Sequence, residues 1–434
     1  MPGENPQVVI VGAGAAGLAA MRELDRAGYS VLCLEARNRI GGRVYTEHDP
    51  LLPVPIELGA EFIHGRSPAT WEIIEAANLT AYDIAGRAVH VENGQVRERG
   101  DAWERIGSVM NDLQHAADAR EDCTFQEFIE RAEYPAETKQ MATAYVEGFN
   151  AARKEIVGIA SLACESRAAE RIEGHRSFRI LNGYASVPAY LLQGVENWRA
   201  KLRLNSIVER IRWKRGAVEL TVRGAESISA RHAVVTVPLG VLQAGGIEFE
   251  PEPEETLQAA RRLAFGQVVR IVLRFREPFW RENEPIANAG FILSNETAFP
   301  TWWTSLPVEA NVLVGWSAGP RADDLLGKTK AEIVAEGIAV LARILGQRRE
   351  RVEGSLEQAY YHDWHADPFA RGAYSYAPAG AFSAREALAQ PVEDTLFFPG
   401  EAAETGGHSA TVHGAILSGR KAAHQLLESL KGTQ

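Results

Sequence analysis

The chain opens on a short, wholly apolar run, Val8–Val11, that stops at Gly12, after which Leu18, Met21 and Leu24 recur at helical spacing. This predicts a buried strand, a tight turn and an amphipathic helix. Gly28 ends the helix pattern, and residues 29–34 predict a second strand. Residues 101–175 are rich in Ala, Glu and Arg at helical spacing. The turn Asn182-Gly183-Tyr184-Ala185-Ser186-Val187-Pro188 leads into three predicted strands, 204–213, 218–222 and 233–237, and two more fall at 269–275 and 312–316. Strands interleaved with helices predict an α/β fold. At 434 residues the chain exceeds what one core usually organises, so two or more domains are expected.

The first turn carries chemistry. In Gly12-Ala13-Gly14-Ala15-Ala16-Gly17, Gly12 permits the bend, Gly14 lets the backbone approach a pyrophosphate, and Gly17 allows the helix to pack closely on the strand. The helix N-terminus offers unpaired N–H groups to an anion. Glu35, directly after the second strand, stands where a carboxylate can hydrogen-bond an adenosine ribose. These residues predict a dinucleotide site without choosing between NAD and FAD.

The block Glu35-Ala36-Arg37-Asn38-Arg39-Ile40-Gly41-Gly42-Arg43 sets a glycine pair and arginines directly after that acid. With it the chain resembles the flavin amine oxidase family, nearest the branch of polyamine oxidases and lysine-specific histone demethylases, and the similarity runs nearly end to end. The resemblance implies non-covalent FAD and a Rossmann-like FAD-binding domain built from residues 1–80, 196–264 and 385–434. An α+β substrate domain from 81–195 and 265–384 would be interleaved with it.

The resemblance also implies roles for residues. Gly42 and Arg43 would lie along the FAD diphosphate, with Gly12, Gly14, Ala15, Ala16, Gly17, Glu35, Ala36 and Arg37 around the rest of the dinucleotide. In Glu57-Leu58-Gly59-Ala60-Glu61-Phe62-Ile63-His64-Gly65, the residues Gly59, Ala60 and Glu61 would pass the flavin and His64 would enter the pocket. The backbone at Val208 would hold adenine, and Pro238 is a further cofactor contact. Trp364 and the segment 367–376 would wall the flavin face, with the Tyr374 ring orienting the substrate amine. Monoamine oxidases carry a flavin-bonded cysteine where Ala373 stands, and a second tyrosine where Thr411 stands. Near the C-terminus, Gly400 and Glu401 would meet the ribityl or diphosphate region. Thr411, Val412 and Ala415, at a helix start, would face the flavin pyrimidine, where the helix dipole favours an anionic reduced ring. Relatives in this branch place a lysine where Arg270 stands, holding a water at flavin N5; arginine keeps the charge but practically cannot release its proton.

The implied reaction is oxidation of a primary or secondary amine, polyamines included, by hydride transfer to N5, with the imine hydrolysed to an aldehyde and O2 reduced to H2O2. Two alternatives keep the fold: a dehydrogenase or desaturase with another electron acceptor, for which Arg270 speaks, and a redox-inactive FAD-binding interaction protein. Composition narrows the partners. A formal charge of −11 argues against nucleic acid and favours cationic small substrates. Three cysteines without a CxxC pair point to a reducing compartment and away from a sulfur-bound metal. No apolar run approaches a membrane span and no basic-then-apolar leader opens the chain, so a cytoplasmic protein is expected.

Overall fold

The computed structural model describes residues 5–92, 95–97, 101–119 and 122–431. At its centre is a five-stranded parallel sheet in the order Leu202–Arg203, Val31–Leu34, Val8–Val11, His232–Val235, Leu396–Phe397. Ile10 pairs with Cys33 on one side and Val234 on the other. The first strand is apolar at every position because both of its faces are covered. Val8 and Ile10 pack under the first helix (Ala15–Arg26) and the C-terminal helix (Val412–Lys431), while Val9 and Val11 face a second cluster containing Ile211, Leu220 and Phe249.

The segment predicted as one strand over 204–213 is two. Leu202–Arg203 joins the parallel sheet and Val208–Lys214 joins a separate four-stranded sheet. The break is Asn205, held at φ +53° with its N–H donated to the Arg37 carbonyl, a left-handed conformation that asparagine tolerates better than most residues.

A seven-stranded sheet forms the other large layer, with Val268–Phe275 between Leu356–Tyr361 and Val312–Ala318. The helix Lys330–Leu345 packs on it, capped by Thr329 and Glu332 in a reciprocal box and ended by Gly346. The described part of 101–175 forms the predicted helices, Ala102–Ala119, Phe125–Arg131, Ala136–Phe149 and Ile159–Arg171, with a cluster built on Val109, Leu113, Phe125 and Val146. The helix Ser186–Gln193 sends Val187, Leu191 and Leu192 into the core of the first helix, so the chain has already returned to the parallel-sheet layer there.

The first and last helices touch at glycine. A Cβ on Gly419 would lie 2.1 Å from the Ala16 carbonyl oxygen. Gly419→Ala should therefore destabilise the protein by about 1–3 kcal/mol, the usual cost of overpacking. Gly354→Ala, where a Cβ meets nothing within 4 Å, is the control. A lower urea midpoint for the first and not the second is expected; equal midpoints would refute this packing.

Candidate active site

The Gly12–Gly17 turn lies at the carboxyl end of the parallel sheet, where such sheets bind ligands. Gly12 has φ +105°, and a Cβ on Gly17 would fall 2.0 Å from the Gly12 oxygen, so neither accepts a side chain. Gly14 caps the first helix without a side-chain bond, and no acid occupies the first turn. A Cβ on Gly14 would meet nothing within 4 Å, so the open space over this helix end is space that a pyrophosphate can enter. Ala15 and Ala16 follow, buried. Glu35 holds the turn, accepting from the N–H groups of Ala13 (2.7 Å) and Arg37 (2.9 Å), with Ala36 between. Arg37 pairs with Asp367 at 2.8 Å. Val208 opens its strand two residues after Ser206, whose N–H bonds the Glu35 carbonyl; Pro238 begins a short helix two residues after Thr236, whose hydroxyl bonds the Val11 and Gly12 carbonyls.

The glycine pair runs against this turn. The Gly41 N–H bonds the Ala13 carbonyl at 2.8 Å, and a Cβ on Gly42 would stand 3.5 Å from the Gly14 Cα. Arg43 then reaches across the molecule, donating to the Ala373 carbonyl (2.6 Å) and the Glu401 carboxylate (2.9 Å). Glu401 also accepts from the Ser375 hydroxyl (2.7 Å) and the Ala410 N–H (3.0 Å). Burial alone would raise its carboxyl, but the Arg43 charge and the bonds from Ser375 and Arg43 outweigh it and hold the group below the usual carboxylate range. An ionised carboxylate accepts hydrogen bonds and offers no donor to a phosphate. Gly400, in extended backbone, gives its N–H to Ser418.

Thr411 is the cap of the C-terminal helix. Its hydroxyl donates to the His408 carbonyl (2.6 Å) and accepts from the Gly414 N–H (2.9 Å), so it is committed to the helix end. Val412 opens that helix and the Ala415 N–H bonds the Thr411 carbonyl. His413 lies buried beside His408, with Nε2 and Nδ1 3.2 Å apart, and burial, then His408 and His64, push it down to about 3. His64 is pushed down to about 4 by burial and shares a hydrogen bond with Ser177. Both imidazoles are neutral at pH 7.

Around His64 the neighbouring side chains are aromatic. Phe62 lies 6.1 Å from His64 and 5.4 Å from Trp303, His64 lies 5.3 Å from Phe149, and Phe149 stacks on Tyr145 at 5.3 Å. Tyr374 donates its hydroxyl to the Phe149 carbonyl (2.8 Å), and burial with the nearby Glu401 charge pushes its phenol up. Buried Trp364 donates to the Leu58 carbonyl at 2.7 Å. Beside it Gly59 has no room for a Cβ, which would lie 1.9 Å from the Arg43 oxygen, and the Ala60 N–H bonds that same oxygen.

Arg270 is not a free cation. It donates to the Gly59 carbonyl (2.9 Å) and to Glu61, which also accepts from Arg179 (2.6 Å) and the Trp303 indole (3.1 Å). Arg179, Trp303 and Phe149 were not singled out in the sequence. The available signal was an arginine in an apolar strand, Phe178-Arg179-Ile180, matching Val269-Arg270-Ile271. Behind this knot sits Glu57, whose carboxyl accepts from the Tyr184 N–H and the Thr46 hydroxyl, yet burial raises it to about 7.

A model of flavin containing amine oxidoreductases matches residues 15–427. The chain belongs to this family. Its cofactor is FAD, and the open glycine turn, Arg43 and the helix start at Val412 fit that group. Among curated relatives it is 28% identical to lysine-specific histone demethylase 1 homolog 2 of Oryza sativa, over 99% of this chain and 58% of that protein. It is 28% identical to polyamine oxidase 2 of Arabidopsis thaliana, over 98% of this chain and 88% of that one, and 30% identical to polyamine oxidase 3 of Oryza sativa, over 97% and 89%. So this amine oxidoreductase spans less than two thirds of the rice demethylase and most of each polyamine oxidase. Solved structures share the fold: cyclohexylamine oxidase from Brevibacterium oxydans at a TM-score of 0.82 and 23% identity, covering 99% of this chain and 100% of that one, and putrescine oxidase bound to putrescine at 0.81 and 20%, covering 98% and 100%.

Glu57 makes the stability of this enzyme pH-dependent. Its folded value of about 7 lies above the ordinary 4.5, so the stability it contributes is complete below about pH 4.5 and is lost as pH rises through 7. At about 1.36 kcal/mol per unit this is on the order of 3 kcal/mol. Glu57→Gln should flatten the stability profile between pH 5 and 8 in chemical denaturation, and an unchanged slope would contradict the assignment.

Proposed function

We propose that this chain oxidises a primary or secondary amine to an imine, which water hydrolyses to an aldehyde, with O2 reduced to H2O2. Bound FAD supplies the two-electron chemistry. The supporting observation is that pocket and cofactor cradle are one unit: Arg43 bonds the carbonyl of Ala373, the residue before Tyr374. The family and the polyamine oxidase relatives support an amine as substrate.

In this reading residues 1–80, 196–264 and 385–434 hold FAD, the helix Ser186–Gln193 belonging with them by its packing, and 81–185 with 265–384 shape the substrate site. Gly12, Gly14, Gly17, Gly42 and Arg43 hold the diphosphate, Glu35 and Val208 the adenosine end, and Ala373 leaves FAD non-covalent because it has no nucleophile. The N-terminus of the helix at Val412 stabilises negative charge on the reduced cofactor. Tyr374 orients the amine with its π-face. The neutral wall around His64 disfavours a charged amine, so it populates the neutral, oxidisable form.

A second reading, transfer of electrons to an acceptor other than O2, is favoured by Arg270, whose charge Glu61 offsets and whose position Gly59 fixes. One experiment separates the two. Acid precipitation should release yellow FAD into the supernatant. Anaerobic mixing of the holoenzyme with a panel of amines should bleach the flavin, and air should restore its colour with H2O2. Bleaching that persists in air selects the second reading; no bleaching by any amine refutes amine oxidation.

A further inference from the structure

Resting on the amine-oxidation reading, we propose that the pocket selects a singly charged amine with an apolar, ring-sized body and discriminates against diamines and polyamines. The wall is continuous and neutral. Exposed Trp103 meets Tyr145 edge-on at 6.3 Å, Tyr145 stacks on Phe149, and from there the rings of His64, Phe62 and Trp303 carry the surface inward. Phe149 is 48% exposed, so this row reaches solvent and can receive a ring from outside. An apolar body gains by leaving water against such faces.

A second ammonium finds no partner there. A buried cation requires an ionised carboxylate, and among the described residues the buried acids near these rings are either bonded already or raised toward the neutral form. Glu61 is held by Arg270, Arg179 and Trp303. Glu147, two residues before Phe149, is raised toward its neutral form by burial, which Lys154 and Arg321 only partly offset. Glu165 accepts from Ser161, Ser409 and Asn150. Moreover, two guanidiniums stand behind the rings, Arg179 at 4.9 Å from the Phe62 centroid and Arg270 at 5.4 Å from that of Trp303. With Glu61 between them, and burial raising the Glu57 carboxyl toward its neutral form, they leave a net positive charge, which repels a dication more than a monocation. A monoamine that reacts in its neutral form escapes both penalties.

The test uses the FAD-loaded enzyme with a dye as electron acceptor, so that oxygen reactivity does not enter. Cyclohexylamine and benzylamine should show kcat/KM on the order of 100-fold above putrescine and spermidine, as burial of an unpaired ammonium demands. Cumylamine, whose α-carbon carries no hydrogen, cannot be oxidised; it should bind tightly enough to perturb the flavin spectrum and be displaced poorly by putrescine. Phe149→Glu, at a half-exposed position that tolerates the change, should narrow the ring-amine to diamine ratio at least tenfold. Preference for putrescine or spermidine, or a ratio unmoved in Phe149→Glu, overturns the selectivity and leaves amine oxidation standing. If no amine of either kind reduces a flavin that dithionite does reduce, the underlying reading falls with it.

Discussion

The cofactor site depends on one ion pair between residues that lie 358 positions apart. Arg43 comes from the loop after the second strand, and Glu401 opens a single 3-10 turn, Glu401–Ala403, on the approach to the last helix. Their contact brings the glycine turn, the Ala373 carbonyl, the Ser375 strand and the Ala410 loop to one point. Buried Arg385, bonded to the Ser375 hydroxyl and the Ala402 carbonyl, braces the same junction from behind. A discontinuous cofactor layer needs such a closure, because the loop-closing entropy between its pieces is offset only when distant segments gain strong contacts together.

A second charged knot, Glu61 with Arg270 and Arg179, does the corresponding work for the substrate side. It lies under the aromatic rings and fixes Gly59, the glycine that lets the chain pass beneath Trp364. Arginine at 270 is held at both ends of its guanidinium, unlike a point charge on a flexible stem, and so it shapes the field behind the pocket while remaining in place. The knot has two sides: Glu57, Glu61, Arg179 and Arg270 line a cavity on one, and uncharged rings with neutral His64 lie on the other.

The strand, glycine turn and helix at the start of the chain were legible in the sequence because their requirements are local. A turn at φ +105° demands Gly12, and close packing demands Gly17, whatever the rest of the chain does. Glu35 and Arg43 stand at fixed offsets from that turn. What was not legible depends on distant partners. Alternation over 204–213 reads as one strand, but which sheet each half joins is decided by Asn205 and its bond to Arg37. Thr411 read as a residue facing the flavin, and only the position of His408 shows its hydroxyl committed to a cap. Arg179 and Trp303 meet Glu61 across 118 and 242 residues, a contact that no periodicity encodes.

The closure between Arg43 and Glu401 is tested most directly by a double-mutant cycle on FAD affinity, titrating FAD into apoprotein of the native chain, Arg43→Met, Glu401→Gln and the double variant. If the pair closes the site as a unit, the double variant should bind FAD about as well as the weaker single one, with a coupling of about 0.5–3 kcal/mol. Losses that add independently would show that the two residues serve the cofactor separately and contradict the account.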